Sequence, residues 1–485
     1  MSEELTPPDN SRIPWWQAVL FSAMAGGMAW GIRGQYGHET GAMIAGVLVS
    51  LTLIFLLCPG ISSLQSVRAA ALCTVAMGIG GTMTYGQTVG LSHDTGVVGN
   101  WGAWRWGMLG LAVKGGVWIG LAAFFLGLGL GGKRYGALEM MKLVILMLFA
   151  SFVGWALLNR PHDPDNMRLP YFYFSDHWHW EPEVLEREGQ KYRPEVWGGL
   201  LFALVTAVTY AVRVKGDKLA RNMALWGLLA GALGFPLGQC LQSINSWNPA
   251  FFAESFLAPI TRYFNWWNAM ETGFGTVMGA VVGLGLWVNR ARIDLRPDPD
   301  EKPIAYWLEG LLMAIHIPAL LAVTFLGGAW ADGLYDYGIV LAAIPLIACV
   351  NGRYWPYLQL LAVTMLPIAG KTTMMLIRYS GGNIEVGVAF SHFFLLPMVA
   401  ATALALWAAR RTQRGEGTPT LIRDALLFTT WMYFWLNHAF FDFPWPWLPW
   451  GGRTVHGMFF LLCAAGITWM VYLHRRTVTA TNPAK

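Results

Sequence analysis

Apolar runs of about 18–25 residues, separated by short polar segments, follow one another along this chain from Trp15 to Leu473. They fall at residues 14–32, 41–58, 67–88, 103–130, 139–158, 196–213, 222–243, 268–288, 305–327, 337–350, 355–376, 386–409, 422–441 and 455–473. Coiled into a helix, a run of about 20 residues crosses a hydrocarbon core of about 30 Å and satisfies its own backbone hydrogen bonds. The pattern predicts an all-α polytopic membrane protein with about fourteen transmembrane helices.

Composition agrees. The 485 residues are 55% apolar and 13% charged, against about 25% charged in soluble proteins. The opening "MSEELTPPDNSR" is acidic and no small-residue cleavage site follows, so the first run is expected to remain as a span rather than act as a signal peptide. Cys58, Cys73, Cys240, Cys349 and Cys463 are scattered and mostly lie inside apolar runs, which offers neither a disulfide framework nor a Cys-x-x-Cys knuckle. The net charge of +5 comes from short basic clusters between spans; without a soluble basic module it gives no nucleic-acid partner.

Those clusters set the topology. "GGKRYG", "RVKGDKLARN", "NRARIDLRPDPDEKP", "ARRTQRGEG" and "HRR" share one side when loops alternate, and the positive-inside rule makes that side cytoplasmic. The expected organisation is a cytoplasmic tail at 1–13, helices 1–5 at 14–158, an extracytoplasmic loop at 159–195, helices 6–8 at 196–289, a cytoplasmic linker at 290–304, helices 9–14 at 305–474 and a cytoplasmic tail at 475–485. Both termini then lie inside a cell membrane, an inner membrane with the chemistry facing the periplasm. The bilayer is the expected partner; no cofactor is implied, and the oligomeric state is not encoded in any motif.

Within this frame "GIRGQYGHETG" is out of place, because Arg33, Gln35, His38 and Glu39 crowd one turn between apolar runs. The motif recurs: Gly34-Gln35 and Gly238-Gln239 end Gly-rich runs, and Glu39-Thr40-Gly41 and Glu271-Thr272-Gly273 open the following ones. Gly86-Gln87 with Asp94-Thr95-Gly96 forms a weaker third copy. All the turns are expected on the outer side, so the copies are parallel Gly-rich helical hairpins rather than inverted repeats. Gly275, Gly279 and Gly283, with Gly27/Gly31 and Gly227/Gly231, suit close helix approach. Glu39 and Glu271 are placed to complement the positive ends of their helices. The amides of Gln35, Gln87 and Gln239 suit hydroxyl recognition and are expected to meet at one outer cavity.

Charges inside the spans are functional candidates by default. Lys114 lies well within the fourth run, His316 near mid-depth of the ninth, and Lys371 and His392 in the outer thirds of the eleventh and twelfth. "GKTT" lacks the upstream glycine of a phosphate loop, Met365 standing there. In the outer loops, His162, Asp163, Asp176, His177, His179 and Glu181 offer imidazole and carboxylate donors, but their spacing fits no specific metal motif; Asp176, His177 and His179 are the weak metal candidates. Asn437, His438 and Asp442 add polar groups beside "FPWPWLPW".

The expected function is a permease for a small polar solute, a sugar or derivative preferred, bound in an outward-facing cavity by Arg33, Gln35, His38, Glu39, Gln87, Lys114, Gln239, Glu271, His316, Lys371, His392 and Asn437. The alternative is a membrane enzyme with an extracytoplasmic site acting on a lipid-linked or glycan substrate. His93 with Asp94, or His438 with Asp442, would then supply the acid–base pair.

Overall fold

In the computed structural model, the described residues are 13–166, 168–175, 180, 192–295, 304–326, 344–379, 384–416, 420–438 and 449–480. Most of the long helices begin within a few residues of an apolar run. The helices are α1 (Trp15–Arg33), α2 (Glu39–Leu57), α3 (Ser63–Gly80), the short α4 (Gly86–Gly90), α5 (Trp101–Leu130), α6 (Ala137–Leu158), α7 (Trp197–Lys215), α8 (Lys218–Trp247) and α9 (Trp266–Val288). The rest are α10 (Tyr306–Phe325), α11 (Ile344–Asn351), α12 (Trp355–Arg378), α13 (Val386–Gln413), α14 (Leu421–Asn437) and α15 (Thr454–Ala480). Among the described residues, ten helices are long and apolar enough to cross a bilayer. The chain is a helical, multi-pass membrane protein, and the described part of every predicted span coincides with a helix or part of one; residues 337–343 of the tenth span lie outside the described residues.

The repeated hairpins are the heart of it. α1 packs on α2, α2 on α3, α3 on α5, α5 on α8, α8 on α9, and α9 returns to α1, so hairpins α1–α2, α3–α5 and α8–α9 close a ring. Their turns emerge at one end: a Cβ on Gly81 would touch the His38 carbonyl, one on Gly34 would touch the Glu271 carboxylate, and Trp101 meets Trp247 with ring centroids 4.8 Å apart. The hairpins are therefore parallel, as the repeat predicts. Basic residues collect at the opposite end, where Lys215 bonds Glu139 and Arg221 bonds Asn222 beside Asn289. Away from the ring, α6, α7, α10 and α13 turn much of their apolar surface outward, including Phe149, Phe152, Leu157 and Trp307, as a lipid-facing belt requires.

Glycines let the ring close. A Cβ at Gly231 would overlap the Gly115 carbonyl oxygen, and one at Gly26 would overlap that of Gly275. Backbones this close gain dispersion along their whole length, which is the main cohesive force between helices in lipid. Gly231→Leu should therefore destabilise the protein by at least about 1–3 kcal/mol through overpacking. Gly310→Leu, where nothing lies within 4 Å of the added Cβ, should not. Thermal unfolding in detergent checks the pair, and equal melting temperatures would contradict this packing.

Two expectations change. Glu271 is not in the first turn of its helix, because α9 begins at Trp266 and is capped by the Asn265 side chain accepting from Asn268 N at 3.0 Å. Gln239 does not end a helix either, since α8 runs on to Trp247. In the weaker copy, Asp94 precedes a single 3-10 turn, and α5 starts only at Trp101 with Asn100 as its cap.

Candidate functional site

Aromatic side chains fill the middle of the ring. Trp30 of α1 meets Trp118 of α5 at 5.2 Å and Phe274 of α9 at 4.4 Å between centroids; Phe235 of α8 stacks on Phe274 at 4.7 Å. Tyr85 closes the group against Phe235 at 5.1 Å. These buried rings form a floor across the hairpin ring.

Polar groups stand above it by helical register. One turn toward the turn end from Trp30, Phe274 and Phe235 come Arg33, Glu271 and Gln239, and a further turn brings Asn268 and Gln242. Arg33 and Glu271 are buried, and Arg33 Nη1 donates to Glu271 Oε1 at 2.8 Å. Asn268 Nδ2 donates to the Gly31 carbonyl at 3.1 Å, tying the start of α9 to α1. Arg33 Nη2 also donates to the Tyr85 hydroxyl and to His38 Nδ1, while the Tyr85 hydroxyl lies 2.7 Å from that same nitrogen. Because a guanidinium only donates, Nδ1 accepts and the His38 proton sits on Nε2. Burial, then the neighbouring cations Arg33, Arg193 and Lys371, push the pKa of His38 in its turn down to about 3. At neutral pH this imidazole is uncharged.

The turn holding His38 is braced from outside the ring. Lys371 Nζ of α12 donates to the Tyr36 carbonyl at 2.6 Å and to Thr40 Oγ1 at 3.1 Å, and Tyr36 shares a 3.0 Å hydrogen bond with Thr372. Glu39 acts electrostatically on both Arg33 and Lys371. Gly37 takes φ +90°, a conformation glycine adopts without strain, and its Cβ position faces Lys371 Nζ at 3.4 Å.

The repeated glutamines address three different neighbours. Gln35 Oε1 accepts from Arg453 Nη1 at 2.8 Å, Gln87 Oε1 from the Arg193 backbone at 3.2 Å, and Gln239 Nε2 donates to Ser92 Oγ at 2.7 Å. They share the turn end, but each pins a separate segment over the ring. In α8, Gln239 Oε1 and Gln242 Oε1 are buried without a hydrogen-bond partner among the described residues, as is Arg33 Nε.

Lys114 stays near the middle of α5, and it is paired there. α5 is 30 residues long, about 45 Å at 1.5 Å per residue, and overshoots a hydrocarbon core of about 30 Å. Lys114 lies level with the start of α7, where Nζ donates to Glu195 Oε1 at 2.7 Å, to the Thr84 carbonyl at 2.7 Å and to Thr88 Oγ1 at 2.8 Å. Glu195 in turn accepts from Phe174 N at 3.1 Å and Trp197 Nε1 at 3.2 Å. The three ammonium protons are thus used in locking the outer segment onto the ring.

The remaining candidates are dispersed. His316 is buried edge-on to Trp355 at 5.4 Å, at the start of α12; His392 is exposed on α13; Asn437 is buried at the end of α14. His93 Nε2 lies 3.4 Å from Asp94 Oδ1, with Nδ1 3.0 Å from the Val89 carbonyl. His438 packs beside Phe434 and Trp435, and its expected partner Asp442 lies outside the described residues. So do Asp176, His177, His179 and Glu181; among the described residues no group of His, Cys, Asp and Glu could hold a metal.

Sequence reasoning missed Tyr85, Glu195, Arg193, Arg453 and Gln242. Glu195 had a usable signal, a lone carboxylate directly before an apolar run. The others sit in ordinary loop or helix contexts.

No protein-family model matches the chain, and no curated protein does. A solved structure described as the crystal structure of MATE in complex with MaD3S aligns over 96% of this chain and 98% of its own, at 13% identity and a TM-score of 0.16. A score that low establishes no common fold, so the likeness carries no inference about this chain.

Proposed function

We propose that the chain is a permease for a small hydroxylated solute, a sugar derivative in the first instance, bound at the turn end of the hairpin ring. One observation carries the reading most: polar side chains stacked above an aromatic floor, with Gln239 Oε1, Gln242 Oε1 and Arg33 Nε buried and unpartnered among the described residues. Buried polar atoms are otherwise almost always paired, and such atoms beside flat aromatic faces suit a ligand with hydroxyls and apolar ring faces. Intramembrane ionisable groups such as Arg33 and Glu271 mark substrate or ion pathways by default. The gathering of basic clusters at the opposite end supports, through the positive-inside rule, a site on the extracytoplasmic face.

The aromatic floor favours a second reading. A membrane enzyme working on a glycan needs access from one face only, and the rings of Trp30, Trp118, Phe235 and Phe274 close the way below. Purified protein in sealed liposomes separates the two: a permease moves labelled sugar into the lumen and loses accumulation when the driving gradient collapses. Chemical conversion in detergent without vectorial uptake would replace the permease by the enzyme. Orientation is checked in intact cells, where an impermeant thiol reagent should reach a cysteine at Asn166 but reach one at Gly216 only after permeabilisation.

A further inference from the structure

Cations from four separate segments converge on the turn above the ring. Arg33 comes from α1, Arg193 from the segment before α7, Lys371 from α12 and Arg453 from the segment before α15. Arg33 and Lys371 bond into the 33–40 turn, and Arg453 bonds Gln35 within it. Arg193 Nη1 lies 3.1 Å from the Cβ position of Gly86, next to Tyr85. Two carboxylates, Glu39 and Glu271, face them, and His38 between them is neutral.

Among the described residues the cluster thus holds two more positive than negative groups. The Arg193 guanidinium is exposed and makes no hydrogen bond or ion pair to the described residues, although its backbone is held at both ends, N–H to Gln87 and carbonyl to Tyr173. Arg33 Nε is buried and unpartnered among those residues. Guanidinium groups with donors to spare form their strongest hydrogen bonds to carboxylate and phosphate oxygens.

Resting on the site proposed above, we infer that its solute is an anion: a small hydroxylated molecule bearing a carboxylate or phosphate, the acidic group meeting Arg193 and Arg33 and the hydroxyls meeting Gln239 and Gln242. An acidic group in this position offsets the excess positive charge, while the free amide oxygens accept from hydroxyls. Neutral hexoses would use only half of the site.

Full-chain protein in neutral detergent is titrated with D-glucuronate, glucose 6-phosphate, glucose and, as mixed micelles, phosphatidylglycerol. Glucuronate or glucose 6-phosphate should bind at least about tenfold more tightly than glucose, and whichever of the two binds identifies the acidic group. Arg193→Gln should weaken that binding about tenfold or more, because it removes a charge-assisted contact while the loop keeps its backbone bonds. Arg168→Gln, an exposed cation on the outer loop, should leave it unchanged. Glucose binding as tightly as its acidic relatives would overturn the anion while leaving the permease for a neutral sugar. Response to phosphatidylglycerol alone would replace the solute by a lipid headgroup. Silence with every probe would overturn the anion and the sugar-derivative reading together.

Discussion

Glu271→Ala should destabilise the folded protein by about 3–5 kcal/mol, the usual consequence of stranding one member of a buried ion pair. Arg33 would keep its burial and its contacts to Tyr85 and His38 but lose the carboxylate 2.8 Å from Nη1. The pair joins the first hairpin to the last, so the loss falls on the seam that closes the ring, and α1 and α9 should separate earlier than the α5–α8 contact. Arg33→Met combined with Glu271→Met should recover most of the stability, since two apolar side chains replace two desolvated charges. Equilibrium unfolding in mixed detergent measures all three variants. A cost below about 1 kcal/mol for Glu271→Ala, the size typical of exposed pairs, would mean that water reaches Arg33 freely.

Lys114→Met should be comparably damaging, at about 3–5 kcal/mol. From sequence, an apolar isostere there is expected to leave folding largely intact, because the lysine is read as an isolated charge whose removal relieves a burial cost. The structure reverses that expectation: the fully buried Glu195 carboxylate depends on the ammonium, and Ser175 and Thr88 bond into the same cluster. Lys114→Met with Glu195→Gln should therefore be more stable than Lys114→Met alone, the neutral amide lacking the charge that needs compensation. Limited proteolysis adds a local readout, as the segment carrying Phe174 and Ser175 should become cleavable in the single variant first. If the single and double variants melt together, Glu195 is not held by Lys114.

Much of the architecture was legible in the residues themselves. Span positions follow from hydrocarbon thickness, a local property of composition, and the described part of each run is largely helical. The parallel hairpins were visible in the Gly-Gln and Glu-Thr-Gly signatures, and the role of Gly231 and Gly275 in close packing needs only that small residues recur on one helix face. Arg33 and His38 stood out because polar side chains crowded into a short turn between two membrane runs must find hydrogen-bond partners there.

Pairing was decided by the tertiary structure alone. Arg33 finds Glu271 across 238 positions of sequence, and Lys371 finds the Tyr36 carbonyl across 335, because ring closure makes those helices neighbours. A single sequence shows that a membrane charge needs a partner but not which helix supplies it, since van der Waals fit between helix faces chooses the neighbours and the ionic groups follow. The same fit turned Glu271 from a helix-end carboxylate into the middle of an ion pair, and carried α8 past Gln239 to Trp247. It also gave Lys114 a buried partner, because packing of the segment before α7 against α5 brings Glu195 to the ammonium.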